Sequence, residues 1–285
     1  MQNFTLLVAT DFSQGSEVLL KKALHFAEKF HATLHVVHIL ETNFFQKSKS
    51  LEEVKERCWE IAHTYCPILE KKHFYCVEGE VEKSINVVAN TIGANMLMIG
   101  DNKEKHPLEA IFVGSDTKAI IKKSSMPVFV TKSHEIHNYL TILIPTDLSK
   151  DSAVMIHHIA ELFPDALLLL LHLYSVPFEF RLGMYGFNEL EIMNFHEESR
   201  HAAETQLNLF MKTLKIPLKQ LVPIVRKELL SSERFEENHK DLNADFVAIH
   251  TTGNISFFAF DLLEKSKNDV LIYKIHHTNK VHHGD

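Results

Sequence analysis

The chain has 285 residues, 45% hydrophobic and 24% charged, enough for one large core or two of about 140 residues each. Its formal net charge is -7 with histidine neutral and no basic stripe stands out, which argues against a nucleic-acid partner. The longest apolar run, Ala166 to Leu171, falls far short of the ~20 residues of a membrane span, so no membrane partner is expected.

The opening residues "MQNFTLLVAT" carry no positive n-region and no small-residue cleavage site, so no signal peptide is expected. Cys58, Cys66 and Cys76 are odd in number and form no C-x-x-C pair, which suits a reducing, cytoplasmic setting. Cys58 falls on the apolar side of a predicted helix and reads as core.

Residues 4 to 10 form a continuous apolar strand that stops at Thr10-Asp11. Ser13 can N-cap a helix running to about Phe30, with Leu19, Leu20, Ala23, Ala27 and Phe30 on one face. "ATLHVVHIL" is a second strand, and "SLEE" at residues 50 to 53 is a capping box opening another helix. "HFYCVEG" is a strand, Val81 to Ile92 a helix and "NMLMIG" a strand ending at Gly100. After a loop, a helix spans about Ser115 to Lys123, and "MPVFVTK" is the last strand of this half.

The same order then returns. "LTILIPT" is a strand, Ser149 caps a helix through Phe163, and "ALLLLLHLY" is a strand. Past the loop "SVPFEFRLGMYGFN" comes a longer helix, Glu189 to Leu214. "LVPIV" is a strand, Ser232 to His239 a weak helix and "DFVAIH" a strand. A helix over about Phe257 to Lys265 and the strand "DVLIYKI" close the chain's second half. Asp11 and Asp147 lie 136 residues apart, so the chain is an internal repeat. Expected units span residues 1–132 and 140–276, joined by the short linker "SHEIHNY". Dense apolar strands alternating with helices imply α/β architecture with parallel sheets covered on both faces.

In such sheets ligands bind beyond the carboxyl ends of strands, where strand order reverses. Asp11 there can accept hydrogen bonds from ribose hydroxyls or an adenine amine. Gly100 allows close backbone approach, and Gly114-Ser115 opens a helix whose free N–H groups favour phosphate. A second reading stays open, because Asp before Ser is also strand-to-helix turn chemistry.

Together "VATDFSQGS", "ALHFAEKFHATLHVVHILE", "VEGEVEKSI", "MLMIG" and "GSDTKAIIKKSSMPVFV" resemble the universal stress protein family. "PTDLSKDS", "NADFVAIH" and "NDVLIYK" extend the resemblance, more weakly, over the second half, as in a tandem member. The resemblance implies two doubly wound five-stranded parallel sheets, each of strand order 3-2-1-4-5, related by a pseudo-twofold axis. It also implies dimerisation through the last strand, so the chain is a fused-dimer-like monomer or a homodimer. The ligand implied is ATP, with Mg, or another adenine nucleotide. Carried over by position, the ligand contacts are Ala9, Thr10, Asp11, Ile39, Ile99, Gly100, Gly114 and Ser115, with Ile39 acting through its backbone.

This chain departs from the family pattern at several points. Lys103 stands at the second glycine position, where it offers charge to a phosphate, and Asp116 follows Gly114-Ser115. In the second half His250 replaces the first glycine, while Gly253 fits the second. Fifteen positions separate Ile99 from Gly114, but seven separate Ile249 from Ser256. Phe257, Phe258 and Phe260 occupy that shortened region and read as a short core helix with one aromatic face.

No Ser-His-Asp order, paired catalytic carboxylates or P-loop lysine motif appears, and no metal pattern among the twenty histidines. The expectation is a non-enzymatic stress-response protein binding adenine nucleotide in its first half. The alternatives are a nucleotide-independent interaction scaffold and a slow ATP hydrolase.

Overall fold

The computed structural model describes residues 4–13, 15–40, 51–101, 115–176, 178–229, 231–252 and 256–275, with side chains omitted at 115, 116, 256 and 257. The first half runs β1 (Thr5–Ala9), α1 (Ser16–Phe30), β2 (Thr33–Leu40), α2 (Leu51–Tyr65), β3 (Phe74–Glu78), α3 (Val81–Ile92), β4 (Met96–Gly100), α4 (Ser115–Lys123) and β5 (Val128–Thr131). The second runs β6 (Thr141–Pro145), α5 (Lys150–Leu162), β7 (Leu167–Tyr174), α6 (Glu189–Leu214), β8 (Leu221–Lys227), α7 (Phe235–His239), β9 (Phe246–His250), α8 (Ser256–Lys265) and β10 (Asp269–Tyr273).

The strands form one ten-stranded sheet of order β3-β2-β1-β4-β5-β10-β9-β6-β7-β8. Each half therefore has the expected order 3-2-1-4-5, parallel throughout. The halves meet in the antiparallel pair β5–β10, with Phe129 opposite Leu271, flanked by Val130 opposite Val270 and Val128 opposite Ile272. Matching β4–β5 to β9–β10 makes Phe129 and Leu271 equivalent positions, so the pseudo-twofold axis passes between them. The two last strands hide each other's edges, which would otherwise invite pairing with other chains. The outer edges are β3 and β8, and β8 carries Pro223, a residue an edge strand tolerates.

Alternate strand residues face opposite layers. Leu6 and Val8 pack under α1 and α2, and in the second half Ile142 and Ile144 pack under α5 and α6. Leu7, Leu97, Leu143 and Val247 pack under α3, α4, α7 and α8. Each core layer runs unbroken through both halves. An aromatic knot crosses the join on the first face: linker residue Tyr139 lies 5.6 Å from Phe26 and 6.0 Å from both Phe163 and Phe246, ring centre to ring centre.

Polar contacts across the join are buried as well. Lys22 of α1 pairs with Asp269 of β10, both side chains 1% exposed. The same carboxylate accepts the backbone N–H groups of Lys132 and Ser133 at 2.7 and 2.9 Å. Lys132 pairs with Asp101 at 3.1 Å and donates to the carbonyls of Leu263 and Ser266 at the end of α8. By pseudo-symmetry Lys274 donates to the Lys122 carbonyl at the end of α4. A cation at a helix carboxyl end complements its dipole.

One local expectation differs. Ser13 does not cap α1 with its side chain; Gly15 is the cap residue, and Ser13 instead accepts the Ser16 N–H through its carbonyl at 3.0 Å. Ser149 does cap α5, accepting the Ser152 N–H at 3.1 Å. Ser50 of the expected capping box lies outside the described residues.

Candidate functional site

In each half the first strand ends in the same turn. Ser13 N–H donates to Asp11 Oδ1 at 3.0 Å, and Ser149 N–H donates to Asp147 Oδ1 at 3.0 Å. Phe12 N–H donates to the Thr10 hydroxyl at 3.2 Å, as Leu148 N–H does to Thr146 at 3.1 Å. The turn needs Phe12 at φ 55° and Leu148 at φ 61°, left-handed backbone that bulky residues seldom adopt. One oxygen of each aspartate thus does turn work, the second of the two readings open in the sequence.

A histidine props each turn from the neighbouring strand. His38 Nδ1 donates to the Thr10 carbonyl at 2.8 Å, and His172 Nδ1 faces the Thr146 carbonyl at 3.3 Å. Since a carbonyl only accepts, the proton is on Nδ1. The Phe12 ring lies 5.1 Å from the His38 ring. Sequence reasoning missed this pair; the signal was a histidine in the same slot of both repeats, "VVHIL" and "LLHLY".

At the first-half turn, β1 lies between β2 and β4, with Ala9 opposite both Val37 and Ile99. Ala9, Thr10, Asp11, Ile39, Ile99 and Gly100 therefore gather at the carboxyl ends of three adjacent strands, where strand order reverses. Asp11 is exposed and Thr10 buried, with the Thr10 hydroxyl donating to Ser16 Oγ at 2.9 Å. Among the described residues a Cβ built on Gly100 would meet only Leu19 Cδ2, at 3.8 Å, an ordinary contact. Ser115 starts α4. Lys103 and Gly114 lie outside the described residues, as does the Asp116 side chain.

The second half closes the corresponding space. His250 ends β9 where Gly100 ends β4, and it is 0% exposed. Its Nε2 lies 3.0 Å from Ser152 Oγ, which in turn donates to Asp147 Oδ1 at 2.7 Å. On its other side Nδ1 lies 2.9 Å from Thr252 Oγ1, which donates to Asp151 at 2.6 Å. Burial raises the Asp147 carboxyl, but hydrogen bonds involving His250, Ser149 and Ser152 outweigh it and hold the group well below the usual carboxylate range. Both members of the Ser152–His250 contact are fully buried, so the serine is no exposed nucleophile. Phe258 packs into the core with Phe235, ring centres 5.2 Å apart; Gly253 and the Phe257 side chain lie outside the described residues.

The glycine-punctuated stretch after β7 forms two short 3-10 turns, Glu179–Arg181 and Gly183–Tyr185. Leu182 is buried between them, while Phe180 and Met184 are 81% and 84% exposed. Among the described residues no cluster of three or more His, Cys, Asp or Glu side chains is placed to hold a metal ion, and no helix is long and apolar enough to cross a membrane.

Residues 3–132 match the universal stress protein family. Among solved structures, a universal stress protein from Archaeoglobus fulgidus superposes with a TM-score of 0.63 at 14% identity, over 95% of this chain and 96% of that one. A functionally unknown protein from Pseudomonas aeruginosa superposes with a TM-score of 0.62 at 16% identity, over 96% of this chain and 93% of that one. At such identities the likeness concerns the fold, which is tandem in its full length. No curated protein matches the chain.

Proposed function

Because residues 3–132 match the universal stress protein family, we propose that the chain is a tandem member of that family and that it binds one adenine nucleotide, ATP carried with Mg, in the crevice between β1 and β4. In this reading residues 1–132 are the nucleotide-carrying unit, residues 140–276 are a second unit with a closed crevice, and the chain works by binding rather than by catalysis.

The asymmetry of the two crevices carries the reading. Gly100, which has no side chain, ends β4 in the first half, with the exposed Asp11 at the end of the neighbouring strand, whereas at the equivalent place in the second half the buried His250 ring fills the crevice beside Ser152 and Asp147. Asp11 accepts from ribose or adenine, the Ile39 backbone meets the adenine edge, and the Ala9, Thr10, Ile99 and Gly100 backbone lines the cleft. The family pattern assigns Lys103, Gly114 and Ser115 to the phosphates, with the start of α4 supplying N–H groups.

Titration calorimetry with MgATP tests this. One site per chain is expected, lost in Gly114→Val and Asp11→Ala, and weakened by Lys103→Ala more at low salt than at high. Asp147→Ala should bind as before, while losing about 1–3 kcal/mol of stability because Ser152 is left without its buried acceptor. Two equivalent sites, or binding that dies with Asp147→Ala, would put the ligand in the wrong half. Binding accompanied by enzyme-dependent phosphate release, lost in Asp11→Ala, would favour the hydrolase. No binding would favour the scaffold reading, for which the exposed Phe180, Met184, Leu190 and Met193 are the supporting feature.

A further inference from the structure

Away from the crevice, the outer edge of the first half holds two thiols that nucleotide binding does not use. Cys58 lies on the buried face of α2 and Cys76 in β3. These elements pack on one another, with Trp59 of α2 meeting Phe74 of β3, ring centres 5.9 Å apart, and strand alternation puts Cys76 on the same side of β3 as Phe74, so the two thiols lie in one helix-on-strand packing and each perturbs the other's titration. β3 is an edge strand and Cys76 is half-buried. Cys58 is 8% exposed, on the wall of an open cavity of about 440 Å³ shared with Glu53, Val54, Arg57 and Ile61.

The two sulfurs are unequal. The hydrogen bond from Cys76 lowers the Cys58 thiol, burial opposes this, and the Arg57 charge assists. The same bond, then burial, raises Cys76, with Lys55 opposing and Glu52 adding to the rise. Cys58 lines the open cavity by which a small oxidant reaches the pair, and the thiolate is the nucleophile of sulfur chemistry, so Cys58 is the sulfur that attacks. Cys66 supplies an internal comparison: it is 0% exposed, it donates to the Leu20 carbonyl at 3.2 Å, and burial pushes its thiol up to about 12.

We propose that Cys58 and Cys76 form a dithiol that hydrogen peroxide oxidises to a disulfide, with Cys58 attacking and Cys76 resolving. The Cys58 thiolate attacks one peroxide oxygen, the O–O bond breaks, and the departing hydroxide leaves as water after taking a proton, giving the Cys58 sulfenic acid. The Cys76 sulfur then attacks Cys58. An S–S bond forms, the S–O bond breaks, and the departing hydroxide takes the Cys76 proton as a second water. Two thiols lose two hydrogens and two electrons, and the peroxide gains them. A dithiol reductant reverses the step by exchange. The product fastens α2 to the outer edge of the sheet.

The full chain, reduced and then exposed to graded hydrogen peroxide, is alkylated and mapped by mass spectrometry. The expected product is lighter by two hydrogens, with the Cys58 and Cys76 peptides joined, Cys66 alkylated only after unfolding, and dithiothreitol restoring the starting mass. In the native chain iodoacetamide should modify Cys58 at least roughly tenfold faster than Cys66. Cys76→Ser should stop at a Cys58 sulfenic acid that dimedone traps; should that variant fail to fold, the map of the unaltered chain decides. A linkage through Cys66, a stable oxygen adduct on Cys58 without linkage, or both thiols unchanged under excess peroxide would each overturn the proposal.

Discussion

His35 on β2 sits 8% exposed, its Nδ1 3.2 Å from the Tyr75 hydroxyl and its ring 4.2 Å from that of His73. Burial first, and then the neighbouring His73, push it down to about 4 from the ordinary 6.5. Below the ordinary value the unfolded chain takes up a proton that the folded ring refuses. Stability should therefore fall as pH drops from about 6.5 towards about 4, with this residue supplying about 2 kcal/mol of the loss by pH 5. Urea unfolding at neutral and acid pH checks it: His35→Gln should flatten the slope, and an unchanged slope would show that other groups set it. The same scale shows why Asp11 was readable only in part. The Thr-Asp-x-Ser spelling announces a turn and a strand end together, and both are present. What the sequence hid was the fate of each carboxylate, because His250 reaches Asp147 through Ser152, 98 positions away.

Helix ends offer a paired test. α1 ends at His31, φ 52°, and α3 ends at Gly93, φ 64°, the same left-handed cap made once with a side chain and once without. A Cβ at Gly93 would meet nothing within 4 Å, so Gly93→Ala should cost about 1 kcal/mol through backbone strain alone. His31→Gly should return about 0.5–1 kcal/mol for the mirror reason. Shifts of the same sign in the two unfolding midpoints would show that contacts, not φ, govern these caps. Elements were the most legible level: α3, α4 and α6 span the residues expected for them from the sequence. α1 began later than Ser13 suggested, because the turn after Asp11 takes its N–H groups first. The short α7 (Phe235–His239) is held by Phe235, which the weak pattern could not single out as a core residue. The Cys58–Cys76 contact left no motif because it joins a helix face to a strand, 18 residues apart in a chain with no C-x-x-C.

At the scale of the whole molecule the repeat was visible in the sequence, the strand order came with the family resemblance, and the union through the last strands followed because exposed apolar edges must be covered. The polar contacts at the join were not, because they depend on how two separate layers meet. Both core layers cross the join, so the chain should unfold in one transition with coincident near- and far-ultraviolet signals. Phe129→Ala, at a fully buried ring 5.2 Å from Phe246, should lower stability by about 3–5 kcal/mol and leave the transition single. Two separated transitions would mean that each half keeps a core of its own. The β5–β10 pairing has a further consequence. A linker this short turns association into an intramolecular event whose effective concentration is fixed by geometry, so dilution does not part the halves. It also frees them from copying one another. In a homodimer any substitution at such a union appears twice, but here Lys22 faces Asp269 on one side only, and the equivalent positions hold His158 and Pro127. A chain built this way can end one such strand in a buried histidine and the other in a glycine, without losing the mate that covers its edge.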